Sequence, residues 1–345
     1  MLQQKNHELE ITPGQEFDVD LFRPEDALGV TNLFITVYGK EYPIKTFIDP
    51  DRLIRENKTG RTISSVARTS RGDIVGHNAL FQSAPYDRIY ESGAGAVHPL
   101  YRGGGGIFTR LIVHGMDVGA ERFGVEAIYG EAVCNHVFSQ KATTRIGAIT
   151  RAVEVDLMPA SAYEKEQSSS GRVSSLLDFV IKKPKHHAVY LPAVYEQSLR
   201  LMYEGLEEHR TFSLSDEELP DNLSTEIKTQ VFDFAQVARF AVLQVGSDFT
   251  TVFDNEEKAA HEKDVAVLQV WVKLSWPWVG QVADELRARG YFLGGVLPRW
   301  FDKDGLLMQK IMTRPNWEGM QIHFERAKKI VEMVKADWKE TQEKK

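Results

Sequence analysis

The densest chemistry in the sequence lies in Val97-His98-Pro99-Leu100-Tyr101-Arg102-Gly103-Gly104-Gly105-Gly106-Ile107-Phe108. Consecutive glycines let a backbone approach a ligand closely and turn several N–H groups toward one point. Ile107, Phe108, Leu111, Ile112 and Met116 then recur at helical spacing, so a helix follows the glycines. Its first N–H groups are unpaired and carry about half a positive charge. Arg102 adds a charge-assisted contact for phosphate. Together these make an anion cradle suited to a pyrophosphate; the plainer alternative is a flexible glycine loop. The dinucleotide pattern G-x-G-x-x-G fails, because Phe108 and Thr109 occupy the last position of its two frames. The nucleotide-triphosphate pattern ending in Gly-Lys-Ser/Thr is absent, which leaves Arg-x-x-Gly between a strand and a helix.

The flanking elements must hold this loop. Pro24 with Glu25 and Asp26 opens a helical run to Val37, and a second short helix covers Asp49 to Asn57. Thr62–Thr69, Ile74–Ser83 and Arg88–Val97 form an antiparallel meander whose last strand feeds the glycines. Beyond the helix, Glu126–Val133 is a strand, His136–Arg145 a helix ending before Gly147, and Ile149–Met158 a strand closed by Pro159. Residues 17–159 thus read as an α/β (α+β) unit on a mixed, largely antiparallel sheet. Ser168-Ser169-Ser170-Gly171 marks an exposed boundary near 160–185.

A second unit, 186–313, contains a helix over Ala193–His209, a strand-like region Ile227–Gln244, a charged helix over Asp254–Asp264 and a strand Val265–Leu274. A helix over Pro277–Arg289 and closing strands Tyr291–Leu297 and Leu306–Met312 complete it. Glu126–Pro159 and Val265–Pro298 share the order strand, helix, Gly, strand, Pro, which suggests a duplicated fold. All six tryptophans lie from Trp271 to Trp338, more in keeping with a core than with a ligand pocket. Residues 314–345 are expected to be one amphipathic helix from Asn316, with Met320, Phe324, Ala327, Val331, Val334 and Trp338 along one stripe. That stripe either docks on the protein's own core or pairs two copies in a homodimer.

Composition narrows the functional classes. The net charge of −7 argues against nucleic acid as main partner, and no run of about 20 apolar residues could span a membrane. The polar start of the chain does not read as a secretory signal. The single cysteine, Cys134, excludes an intramolecular disulfide and fits a cytoplasmic protein; a small buried thiol is its expected role. No metal site is expected, because the adjacent pair His186-His187 lacks a zinc spacing, fits a solvated loop and stands with no HExxH motif.

His98 through Gly103, with Ile107, resembles the coenzyme-A-binding motif of the GNAT acyltransferases, and the element order of 17–159 is similar to their fold. Asn135-His136 followed by Ser139-Gln140-Lys141 and Gly147 resembles the penultimate helix of a bacterial subgroup. The second unit looks like a degenerate GNAT-like domain without a glycine-rich phosphate loop. Two departures stand out: counted from Arg102, the family's Arg-x-x-Gly-x-Gly/Ala puts Ile107 at its last position, or, aligned on Ile107-Phe108, the loop is one residue longer than usual; and Thr143 replaces a tyrosine that serves many members as general acid.

The resemblance implies direct transfer of an acetyl or other acyl group from acetyl-CoA to a primary amine of a small molecule. It assigns the acyl-CoA to Val97, Arg102, Gly103, Gly104, Gly105, Gly106, Ile107, Phe108, Asn135 and Ser139, with the Val97 N–H as oxyanion donor. Such transfer needs a base for the ammonium proton. Candidates are Glu91 and Glu131, with His136 and His98 as imidazole alternatives. A non-catalytic acyl-CoA-binding protein is the competing reading.

Overall fold

A computed structural model describes residues 11–103, 106–162, 171–206 and 209–343. It divides into two compact units, one of residues 1–82 and 92–124, the other of 83–91 and 125–345.

In the first unit, strand β1 (Phe17–Leu21) pairs antiparallel with β2 (Thr62–Thr69), to which β3 (Ile74–Phe81) is also antiparallel. Between β1 and β2 run helices α1 (Ala27–Tyr38) and α2 (Pro50–Thr59). Local chemistry sets both. Asp26 accepts from the Arg23 N–H at 2.7 Å and takes the Arg68 guanidinium, which fixes the entry to α1. Asp49 caps α2 by accepting from Arg52 N at 3.0 Å, with Pro50 in the first turn. The spacing of Val30, Leu33 and Phe34 turns one face of α1 onto Phe47, Leu53, Val66 and Ala79.

Strand β4 (Ile89–Val97) belongs to this unit from Ser92 onward. Ala94 within it takes φ 49°, a conformation uncommon for a residue other than glycine. His77 holds it there: Nδ1–H donates to the Ala94 carbonyl at 2.9 Å, while Nε2 accepts from Ser64 Oγ at 2.9 Å. Burial pushes the His77 pKa down to about 4, so the ring stays neutral and keeps this donor–acceptor polarity. Helix α3 (Ile107–His114) follows and runs through a π-helical turn, Gly115–Gly119, to Arg122.

In the second unit, β5 (Ala127–Val133) pairs parallel with Ile89–Glu91 at the start of β4. Helix α4 (Phe138–Arg145), β6 (Ile149–Met158) and β7 (Val173–Ile181) come next. Strand β7 falls inside the stretch that composition marks as a boundary, yet it lies between β5 and β6, antiparallel to both. Then come β8 (His187–Leu191), α5 (Glu196–Tyr203), β9 (Arg210–Leu214), β10 (Glu226–Phe232), β11 (Val237–Gln244) and α6 (Phe249–His261). Last are β12 (Val267–Lys273), α7 (Val279–Ala288), β13 (Phe292–Phe301), β14 (Lys303–Ile311) and α8 (Glu325–Glu343).

The sheet of this unit runs β5-β7-β6-β13-β14-β12-β11-β10, with β8 and β9 as a separate parallel pair. Two of its segments follow the same order. Both β5-α4-β6-β7 and β12-α7-β13-β14 place their fourth strand between the first and third, and each first strand has a parallel neighbour, β4 or β11. Gly147 and Gly290, at φ of 77° and 84°, follow the equivalent helices. The expected fold class, mixed α/β on a largely antiparallel sheet with a C-terminal helix, is what the chain adopts. No helix among the described residues is long and apolar enough to cross a membrane.

Three local expectations change. The helix expected over Ala193–His209 ends at Tyr203, because Gly205 turns the chain at φ 72° and Arg210–Leu214 is a strand. The region Ile227–Gln244 is two strands rather than one, joined by a turn in which Gln236 takes φ 54°. The C-terminal helix starts at Glu325, not Asn316; Trp317–Gly319 is a single 3-10 turn. Its Ala327, Ile330 and Val334 are fully buried in the unit's own core, and Asp337 accepts from Tyr195 Oη at 2.9 Å and Leu293 N at 2.7 Å. The stripe is therefore a docking face within the chain. Val334→Asp, which places an unpaired charge in that core, is expected to cost about 3–5 kcal/mol. Urea unfolding should show the loss while light scattering shows unchanged mass; a fall in mass at unchanged stability would contradict the docking role.

Candidate active site

The glycine loop lies in the first unit. Val97 ends β4, Pro99–Tyr101 make one 3-10 turn, and Arg102 and Gly103 lead toward α3. Gly104 and Gly105 lie outside the described residues. Both rims of the loop are anchored. Tyr101 is buried and donates its hydroxyl to the Thr12 carbonyl at 2.7 Å, and Ile107 is buried against Ala67, Val75 and Leu111. Gly103 and Gly106 take φ of 79° and 61°, a conformation that suits glycine, and a Cβ on either would point into open space. Gly106 is also the N-cap of α3, so no side chain covers that helix's leading N–H groups. A cleft of about 360 Å³ opens there, walled by Val97, Arg102, Gly103, Gly106, Ile107 and Phe108, with Tyr101 and Thr109 completing it. All six of those residues are among the expected cofactor contacts. Arg102 Nε donates to the Val97 carbonyl at 3.1 Å, which holds the guanidinium beside the strand end. Burial, then the Arg102 charge, lowers the His98 pKa, and its ring accepts from Leu100 N.

The expected carboxylates lie in the second unit, and they meet there. Tyr129 Oη donates to Glu91 Oε2 at 3.0 Å, and Ser83 Oγ lies 2.5 Å from the same phenol. Arg239 Nη2 lies 3.6 Å from Glu131 and 3.0 Å from Glu154 Oε1. Gln269 ties these together, accepting from Arg239 Nε at 2.7 Å and donating to Glu154 at 2.9 Å. The Arg239 guanidinium also packs over the Trp271 ring, 5.3 Å from its centre.

Glu131 and Glu154 thus share one guanidinium, and Glu91 stands within its electrostatic reach. Burial, then the Glu131 charge, raises the Glu91 pKa to about 8, against the hydrogen bonds from Ser83 and Tyr129. Burial and Glu131 raise Glu154 in the same direction, against Arg239. Burial also acts against the Arg239 charge, but Glu154 and Glu131 more than offset it. The cluster therefore retains a proton near neutral pH, and Glu91 has a carboxyl whose proton exchanges in the range a general base needs.

The remaining sequence candidates are dispersed. Asn135 is buried at the β5–α4 junction, and Ser139 donates to the Val133 carbonyl at 3.3 Å. His136 accepts from Gln140 Nε2 through its backbone carbonyl at 3.2 Å, and no hydrogen bond joins its buried Nδ1 to any described residue. Burial pushes the Cys134 thiol up to about 12, which leaves it inert. Thr143 donates to Asp178 at 2.5 Å. The solvated-loop reading of His186-His187 fails at the second residue: His187 opens β8 and is buried 3.1 Å from Asp304. Tyr129, Glu154 and Arg239 were missed. Their one signal is a charged or phenolic side chain within an otherwise apolar strand, as in Ala152-Val153-Glu154-Val155.

No family model matches the chain, and no curated protein does. Solved structures similar to about half of it are acetyltransferases. One is yncA from Salmonella typhimurium, an assigned acetyltransferase with its cofactor acetyl-CoA, at 13% identity and TM-score 0.40, covering 49% of this chain and 96% of its own. Another is the spermidine/spermine N-acetyltransferase SpeG from Vibrio cholerae in mutant forms, at 13% identity and TM-score 0.37, covering 48% and 95%. A third is an assigned GNAT-family acetyltransferase from Desulfovibrio desulfuricans, at 15% identity and TM-score 0.36, covering 48% and 99%. At such identities substrate and mechanism do not transfer, so the functional argument rests on this chain's own residues.

Proposed function

We propose that the protein is an acyl-CoA-dependent N-acyltransferase that passes an acetyl or related acyl group from the thioester to a primary amine of a small molecule. The observation that carries this reading is the uncapped, glycine-flanked start of α3 beside Arg102. It combines unpaired N–H groups, the positive end of a helix dipole and a guanidinium, as a pyrophosphate requires. The chemistry makes two demands, an anion cradle and a base. The start of α3 is the proposed cradle, and Glu91, with its raised pKa, is the proposed acceptor of the ammonium proton. The free amine then attacks the thioester carbonyl, the new N–C bond replaces the C–S bond, and the nitrogen's surplus proton goes with the departing thiolate to give the thiol. The Val97 N–H is the proposed donor to the oxyanion formed in between.

The second half of the duplication is proposed to hold no coenzyme. At its equivalent strand–helix junction, Gly246 N donates to Thr225 Oγ1 at 3.1 Å and Ser247 N to the Pro220 carbonyl at 3.1 Å. Asp248 there brings a negative charge, accepting from Thr225 N at 2.9 Å. The loop N–H groups of Gly246 and Ser247 are engaged internally, and a phosphate would meet a carboxylate. A cytoplasmic location accords with the lone reduced, buried cysteine.

Thr143 favours a second reading, a binding protein without turnover, because its hydroxyl is engaged by Asp178 where a tyrosine acid would protonate the leaving thiolate. Calorimetric titration of acetyl-CoA is expected to show one site per chain, lost at least tenfold in affinity in the double variant Arg102→Ala, Gly106→Val. Thiol release with a panel of primary amines then separates the two readings. No binding to the folded unsubstituted chain would reject both.

A further inference from the structure

The second unit contains a guanidinium that its protein surroundings leave half satisfied. Arg151, on β6, is fully buried. Its Nη1 donates to the Met202 and Glu204 carbonyls, each at 2.6 Å, where α5 ends. Its Nε and Nη2 are buried without any hydrogen-bond partner among the described residues. The cationic neighbours make this worse. Arg326, on α8, donates to the Leu201 and Met202 carbonyls at 2.9 and 3.0 Å. Arg210, on β9, is the other nearby cation, and it is committed to Asp304 at 2.6 Å. Asp304 is therefore occupied, and His187 also faces it. Glu204 is exposed and its charge acts on Arg326. Burial, then Arg326 and Arg210, pushes the Arg151 pKa down to about 9, the direction expected of a cation lacking its counter-ion.

A buried charge with two unpartnered nitrogens is costly unless something pairs with it. The unmet groups are the Nε–Nη2 edge, the side of a guanidinium that grips two oxygens of one carboxylate or phosphate in parallel. The third nitrogen is already fixed by backbone carbonyls, so the fork is pre-oriented. We propose that Arg151 is the centre of a second anion site, which takes a small oxyanion, a carboxylate or phosphate group, on its Nε–Nη2 edge, with the half-buried Arg326 at the rim. The site does not depend on the acyltransfer reading, since neither arginine belongs to the glycine loop.

The test is thermal unfolding of the full chain in an Arg102→Ala background, which removes phosphate binding at the glycine loop. Inorganic phosphate and acetate are titrated separately, with chloride holding ionic strength constant. A saturable rise in Tm over the chloride control is expected with at least one anion, and which one responds tells phosphate from carboxylate. Arg151→Met should abolish the rise, and Arg326→Gln should weaken the apparent affinity about tenfold. No saturable rise, or the same rise in Arg151→Met, would overturn the proposal. Should Arg151→Met not fold, selenate soaked into crystals of the unsubstituted chain decides. An anomalous peak within hydrogen-bond distance of Arg151 Nε and Nη2 supports the site, and its absence refutes it.

Discussion

Glu91→Gln is expected to lower kcat for amine acylation by about 100- to 10,000-fold, the contribution of a positioned general base, with KM for the acyl donor little changed. The glutamine keeps the shape and can still accept from Tyr129, so lost structure does not explain the loss. The pH profile makes the test specific. A base must be ionised to act, and the Glu91 pKa is raised to about 8, so the unsubstituted enzyme should gain activity as pH rises and level off above about 8. Glu91→Gln should flatten that limb. Glu131→Gln should move it to lower pH, because it deletes the like charge that is the second cause of the raised pKa. A Glu91→Gln variant with full kcat and an unshifted limb would exclude Glu91 as base and return His136 and Glu131 to consideration.

Gly295→Val should cost the most stability of any single substitution considered, more than about 4 kcal/mol, with most of the protein unfolded or insoluble. Gly295 has φ of 136°, a backbone that L side chains rarely adopt. A Cβ there would lie 2.5 Å from the Arg151 carbonyl oxygen and 2.6 Å from Ala152 Cα. Both obstacles are backbone atoms, which cannot swing aside. The position is also where β13 pairs with β6, Gly295 opposite Ala152, so the clash falls on the strand contact that joins the two repeats. Gly294→Ala is the control. Its Cβ would meet the Leu307 side chain at 2.4 Å, which can shift, for a cost of about 1–3 kcal/mol. Guanidinium unfolding of both variants checks the order; equal midpoints would mean that the close β6–β13 approach does not limit stability.

What could be read from the sequence was what neighbouring residues settle among themselves. Glycines at 103 and 106, Pro99, and the apolar spacing from Ile107 to Met116 place a loop and a helix start whatever the rest of the chain does. The same holds for the meander and for the strand-helix-Gly-strand repeat, which the sheet order reproduces. Strand β7 escaped because an apolar run after a serine-rich stretch gives no hint of which strands it will separate. The carboxyl cluster was legible only in part. Glu91 and Glu131 could be named as candidates, but Tyr129, Glu154, Arg239 and Gln269 join them from β5, β6, β11 and β12. Strand pairing alone decides that Glu131 and Glu154 share one cation with Glu91 in its field. Arg151 is the same lesson in the opposite sign: its charge is plain in the sequence, while its loss of water and of a counter-ion exists only where β6, α5 and α8 converge. Backbone conformation is a local property, whereas solvation and charge pairing depend on residues the chain brings together from a distance.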